Sequence, residues 1–213
     1  MRKEIFEKGF NKKMNNNFKE LSKYYEFNLE VFCEFNTLIF EINNCLLFEL
    51  NRAAITLTNH LLERLLKLAL INNETGIGEI ELDKLNSIFR EANEKYGNID
   101  LGNSIEKCKK LKLISAKEKS FLFDVIRVLM RNGFSHADSS KILQSLPDNS
   151  TMYQGDLSNP DNELREVSLN QKVIPTFQAI QMEEFAKENA KIYFDFVFKL
   201  IFRIEKRLIN SHK

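Results

Sequence analysis

Glycine and proline are scarce, at seven and three residues in a chain of 213, and tryptophan is absent. So few breakers, set among many Lys, Glu, Leu, Ile and Phe residues, exclude a turn-rich β architecture and predict a mostly helical chain. Cysteine is sparse too. Cys33, Cys45 and Cys108 have no metal-ligand spacing, and their odd number argues against a disulfide framework and for a reducing cytoplasm. Excess charge of either sign is missing. A net charge of +1 excludes a polybasic nucleic-acid binder, so any affinity for nucleic acid has to come from a local patch. Long apolar runs are lacking as well. The opening "MRKEIFEKGFNKK" has no apolar core of a secretory signal. The most apolar stretch, "IYFDFVFKLIFRI" (192–204), is interrupted by Asp195, Lys199 and Arg203, too short and too charged to span a bilayer. A soluble cytoplasmic protein with no membrane role is expected.

What is present suits one domain over 1–213, with 43% hydrophobic residues to build a core. Residues 1–17 are basic and Asn-rich and read as a frayed start. From Phe18 to Asn73 there is no Pro or Gly, and two or three helices fit. The clearest carries Leu50, Ala54, Leu57, Leu61, Leu65 and Leu68 on one stripe, with Glu63 and Lys67 as an i,i+4 pair on its wet side. "NNETGIGE" is a turn, 81–97 a helix ended by Gly97, "NIDLGN" a turn and 104–113 a short helix. Ser115 and Glu118 form a capping box that opens the next helix. Its expected buried stripe is Leu122, Val125, Ile126 and Leu129, and Gly133 is placed to end it in the left-handed conformation. A short helix from His136 to Ser145 follows, closed by Pro147. Residues 147–173 form a long polar excursion, uncommon inside a compact domain unless it serves as a lid or is disordered, with room for a short hairpin. The last helix, about 176–210, carries an apolar band through Phe194, Val197, Phe198, Ile201, Ile204 and Leu208, widened by Phe185, Phe196 and Phe202. A band that wide is buried on more than one side, centrally or against a partner. The expected fold is all-α: four to five core helices with additional N- and C-terminal helices.

Several chemistries have no residues to carry them. No Gly-rich phosphate loop, no Cys/His zinc cluster and no G-x-S-x-G elbow occurs, so no cofactor and no metal are expected. Of three histidines, His60 sits on the flank of the Leu-rich helix and His212 in the tail. The third lies in "MRNGFSHAD", residues 130–138. The plain reading of that stretch is one helix ending and another beginning, with Asp124, Arg127 and Arg131 as a solvated charge stripe. The chemical reading is cleavage of a phosphodiester. Arg131 offers a permanently charged fork to phosphate oxygens. His136 can carry a proton at neutral pH. Asn132 can donate to phosphate or fix the histidine tautomer. Arg127, Ser135 and Asp138 are candidate substrate contacts, although Ser135 also suits helix capping. A catalytic site should leave Arg131 and His136 pointing into a shared cleft and not into salt bridges, which separates it from a bundle in which the stretch only ends one helix and begins another. A single copy supplies one usable histidine. Two copies across a twofold axis supply an acid and a base.

"LKLISAKEKSFLFDVIRVLMRNGFSHAD" resembles the signature segment of the HEPN superfamily of helical-bundle domains, many of them ribonucleases of toxin–antitoxin, abortive-infection and RNA-guided defence systems. Their motif is R-x(4–6)-H, commonly with Asn, Asp or His after the Arg; Arg131, Asn132 and His136 match it with four residues between Arg and His. The close match covers about thirty residues, and elsewhere the likeness is only helicity. The resemblance implies a four- or five-helix bundle and a homodimer with facing motifs. It also implies metal-independent RNA cleavage that leaves a 2′,3′-cyclic phosphate, with a cognate antitoxin or defence-system protein as a further partner. In members silenced by adenylylation the motif continues H-x-Tyr. Here that position is Asp138, so the likeness does not extend to that control. A non-catalytic module of the same fold, binding RNA or a protein, is the alternative, and an unrelated helical bundle is a third reading.

Overall fold

The computed structural model describes residues 2–212 except 79, 136–138, 145, 157 and 160–162, and it leaves the side chains of 135, 139 and 140 undescribed. Helices make up 73% of it, so the fold is all-α with extra helices at both ends. In order these are α1 (Lys3–Leu21), α2 (Asn36–Leu47), α3 (Asn51–Thr75), α4 (Leu82–Tyr96), α5 (Leu101–Lys110) and α6 (Ala116–Ser120). The last runs straight into a π-helix, Phe121–Ser135, followed by α7 (Ser139–Leu143) and α8 (Pro175–Ser211). Between α7 and α8 the polar excursion folds back as an antiparallel hairpin, β1 (Asn149–Gln154) and β2 (Arg165–Asn170), with Asn149 opposite Asn170 and Gln154 opposite Arg165.

The core is built around α3 and α8, which pack on each other most extensively, with α2, α5 and the π-helix around them. On α3, Leu61, Leu62, Leu65, Leu66, Ala69 and Leu70 are all buried. Such paired positions make an apolar face too wide for one neighbour. On α8, Phe194, Val197, Ile201, Ile204 and Leu208 are buried as the periodicity predicts. Phe198 is half-buried and meets the rings of Tyr24 and Phe27 edge-on, at centroid distances of 5.0 and 5.3 Å.

Three local expectations need correction. The expected frayed start is helix α1. Lys13 Nζ and Asn17 Nδ2 donate to the carbonyls of Phe48 and Leu47, and Phe10 stacks on Phe48 at 3.9 Å. The open carbonyls at the end of α2 thus find donors on α1. The turn "NIDLGN" is already helical from Leu101, because the Asp100 side chain accepts from the Asn103 backbone and caps α5 there. Glu63 and Lys67 do not pair: Lys67 donates to the Gly97 carbonyl, and Glu63 goes elsewhere.

The capping box forms as expected and does more than cap. Glu118 accepts from the Ser115 backbone at 2.6 Å and also holds two arginines of α8, Arg203 Nε at 2.6 Å and Arg207 Nη1 at 2.8 Å. Burial alone would raise the Glu118 carboxyl, but the Ser115 N–H and the two guanidinium groups hold it down at about 2. Asp195 behaves alike: burial raises it, while Lys199, Tyr24 and Lys23 bring it to about 2. A depressed carboxyl stabilises the fold above its unfolded pKa, and that contribution is lost as pH falls through the folded value. Stability is therefore expected to drop between pH about 4.5 and about 2. Glu118→Ala should cost about 2–4 kcal/mol at neutral pH in urea unfolding, by stranding two arginines and the Ser115 N–H. Its deficit against wild type should narrow toward pH 2.

Candidate functional site

The segment that carries the arginine–asparagine pair winds as a π-helix over 15 residues. π-Winding, with i→i+5 hydrogen bonds, is rare, usually a single turn, and frequent at functional sites. The wider turn changes which residues share a face. Leu122, Ile126, Met130 and Phe134, four apart, are buried. The expected stripe of Leu122, Val125, Ile126 and Leu129 is corrected accordingly, since it assumed ordinary helical spacing, and Val125 and Leu129 are only half-buried. Gly133 is corrected too. It does not take the left-handed conformation and lies inside the helix, which runs on to Ser135. A Cβ there would stand 3.3 Å from Ile142 Cγ1 and 3.3 Å from the Val128 carbonyl oxygen, so glycine serves the close approach of α7.

The end of this helix is gripped by α3. Asn59 is buried, and its Nδ2 donates to the Met130 carbonyl at 2.8 Å. From α8, the Tyr193 hydroxyl donates to Asn59 Oδ1 at 2.7 Å. One turn further along α3, Glu63 Oε1 accepts from Arg131 Nε at 2.5 Å. Two successive residues of the π-helix, 130 by its backbone and 131 by its side chain, are thus held by two residues of α3 at i,i+4 spacing. Burial, with the Glu63 charge nearby, pushes the Tyr193 hydroxyl well above its ordinary range, so it stays a proton donor.

Among the predicted site residues, Arg131 is about 30% exposed and paired with Glu63. This departs from the expectation of an arginine outside ion pairs. Asn132 beside it is half-buried. Arg127, one turn earlier, is not the solvated charge expected. It is half-buried, its guanidinium lies 3.8 Å from the Phe123 ring, and its Nε is buried without a hydrogen-bond partner among the described residues. Asp124 is exposed and accepts from the Ser120 hydroxyl. His136, Asp138 and the Ser135 side chain lie outside the described residues. Asn59, Glu63 and Tyr193 were missed as a group. The available signal was a polar pair, four apart, on the flank of a leucine stripe.

Beside this site a mostly apolar groove of about 450 Å³ runs between the π-helix and α8, lined by Phe121, Val125, Leu129, Ile192 and Phe196 together with the charged Asp195, Lys199 and Arg203. Ile192 is 69% exposed there. Among the described residues, no three His, Cys, Asp or Glu side chains are grouped to hold a metal ion, and no helix is long and apolar enough to cross a membrane. Comparison of the chain with protein-family models, with curated proteins and with solved structures gave no match.

The grip makes a stability prediction. Asn59→Ala should cost about 2–3 kcal/mol, since it leaves the Tyr193 hydroxyl and the Met130 carbonyl buried without this partner. Tyr193→Phe should cost about 1–2 kcal/mol. The double variant should lose clearly less than the sum in urea unfolding, because both changes break one network. Full additivity would show that the network is not coupled.

Proposed function

We propose that this chain is a metal-independent endoribonuclease of the HEPN type, acting in the cytoplasm as a toxin or as a phage-defence or stress effector. The observation that carries this reading is the position of Arg131 and Asn132: partly exposed, at the end of a long π-helix, in an all-α bundle, within the sequence R-N-x3-H. Arg131 would stabilise the phosphorane oxygens, with Arg127, one turn earlier, as a further candidate contact to substrate. His136 would move the proton of the attacking 2′-OH or of the leaving 5′-oxygen. Asn132 would donate to phosphate, and Ser135 and Asp138 would contact substrate or orient the histidine. No cofactor enters the reaction.

Because one chain offers one such histidine, the working unit in this proposal is a homodimer whose two sites face each other. The groove along the π-helix supports it, with exposed Ile192 and Phe121 offering apolar surface beside the site. A cognate antitoxin or defence-system protein is proposed as the further partner. The second reading is a non-catalytic helical module that binds RNA or a protein, separated from the first by activity on RNA; the Arg131–Glu63 ion pair is what an unrelated helical bundle, the third reading, would show.

Cleavage of RNA should persist in EDTA, and DNA should resist, lacking the 2′-OH. His136→Ala should lower the rate about 10²–10⁴-fold and Arg131→Ala about 10²–10³-fold, with both variants folded, while His60→Ala keeps activity. Gel assays on single-stranded RNA, read beside thermal melts, check this. Wild-type activity in His136→Ala would remove the assignment. Mixing wild type with excess His136→Ala should lower the rate per wild-type chain if both histidines serve one site, and a constant rate would remove the composite dimer.

A further inference from the structure

We propose that Glu63 is a positioning residue for Arg131: its carboxylate holds the guanidinium by Nε so that the two terminal nitrogens are presented as a fork to an RNA phosphate. The inference rests on the ribonuclease reading of the Arg131 site and deepens it. A guanidinium has three nitrogens in one plane, and a partner on one of them fixes the direction in which the others point. Glu63 Oε1 takes Nε. The contact differs from that of Arg207, which meets Glu118 through both Nη1 and Nη2, and resembles that of Arg203, which meets Glu118 through Nε alone. A carboxylate that spanned two guanidinium nitrogens would occupy the edge that a phosphate needs, and a carboxylate on Nε leaves the Nη1–Nη2 edge to a ligand.

The carboxylate is itself well placed to aim. Glu63 stands one turn from Asn59, which is anchored to the Met130 carbonyl and to Tyr193. Backbone and side chain at the end of the π-helix are therefore referred to the same rigid helix. Glu63 and Arg131 are each about 30% exposed, so the pair sits at a surface that a nucleic acid can reach. Arg131 keeps its full charge, while the pair as a whole carries none and so has a weaker long-range field than a lone arginine. Glu63 therefore lowers indiscriminate attraction to anions while it aligns the group for one of them.

The test measures cleavage of a fluorophore-labelled, mixed-sequence single-stranded RNA by wild type, Glu63→Ala, Glu63→Gln and Arg131→Ala. Thermal melts and the ¹⁵N–¹H resonance of Arg131 Nε are recorded for each. Positioning predicts that Glu63→Ala lowers kcat about 10–100-fold with KM within about threefold of wild type. The Arg131 Nε–H resonance should broaden away. Glu63→Gln keeps an oxygen acceptor and should recover most of kcat and the resonance, with all variants folded. Wild-type kcat in Glu63→Ala, alongside an inactive Arg131→Ala, overturns the positioning role and leaves the ribonuclease reading standing. Equal losses in Glu63→Ala and Glu63→Gln also overturn it, since charge and not aim would then be what matters. A wild type that leaves RNA intact, or a fully active Arg131→Ala, removes the ribonuclease reading and this inference with it.

Discussion

A buried asparagine sets the geometry of this molecule's most unusual helix. Asn59 lies inside the leucine-lined face of α3, where an unpaired amide would cost a few kcal/mol, about as much as burying one leucine gains. It is satisfied by the Met130 carbonyl on one side and the Tyr193 hydroxyl on the other. Hydrogen bonds are directional where apolar packing is not, so this one contact specifies the depth and rotation of the π-helix against α3 and α8 together.

The other end of the same segment is fixed by charge. Glu118, at the start of α6, is held by Arg203 and Arg207 of α8. Residues 116–135 thus run between an ionic anchor and a hydrogen-bonded one. Between them Leu122, Ile126, Met130 and Phe134 recur every four residues and face the core. Spaced so, they lie on one side of the segment in either winding, and the two anchors and this packing hold a winding that would be poor in isolation. The exposed side of the segment leads to the groove against α8, and its end presents Arg131. Rigid support under a partly exposed arginine is what an anion site needs, and it equally suits a surface ion pair; chemistry on RNA separates the two.

Much of the architecture was legible from pattern. The Phe-rich band of α8 and the Ser115–Glu118 capping box follow from spacing, and the bundle follows from the scarcity of breakers. The leucine stripe of α3 was legible in part: Ala54, Leu61 and Leu65 are buried, whereas Leu57 and Leu68 are half-buried and Leu50 is exposed before the helix begins. The polar composition of 147–173 left a hairpin as one option beside a lid or disorder, and cross-strand pairing decides it. Gly133 was misread because a glycine at an apparent helix end satisfies the same local rule whether it stops the chain or admits a neighbour. Only the position of Ile142 on α7 decides between them. The buried stripe of the π-helix was misread because periodicity analysis assumes ordinary winding, and widening comes from tertiary contacts. Glu63 was assigned to Lys67 because sequence spacing sees along one helix and is blind across two. The candidate motif was visible as residues, while the network that supports Arg131 draws on positions 59, 63 and 193 and had no linear signature.

The proposed activity turns on the identity of one nucleophile. If the 2′-OH attacks, the new 3′ ends must carry a cyclic phosphate, and if water attacks they must not. Mass spectrometry of the fragments released from a defined single-stranded RNA reads this directly, with Arg131→Ala protein as the control. The account predicts 2′,3′-cyclic phosphate ends paired with 5′-hydroxyl ends, present with wild type and missing with the control. Fragments ending in a free 3′-hydroxyl and a 5′-phosphate, or the same fragments from the Arg131→Ala protein, would contradict it.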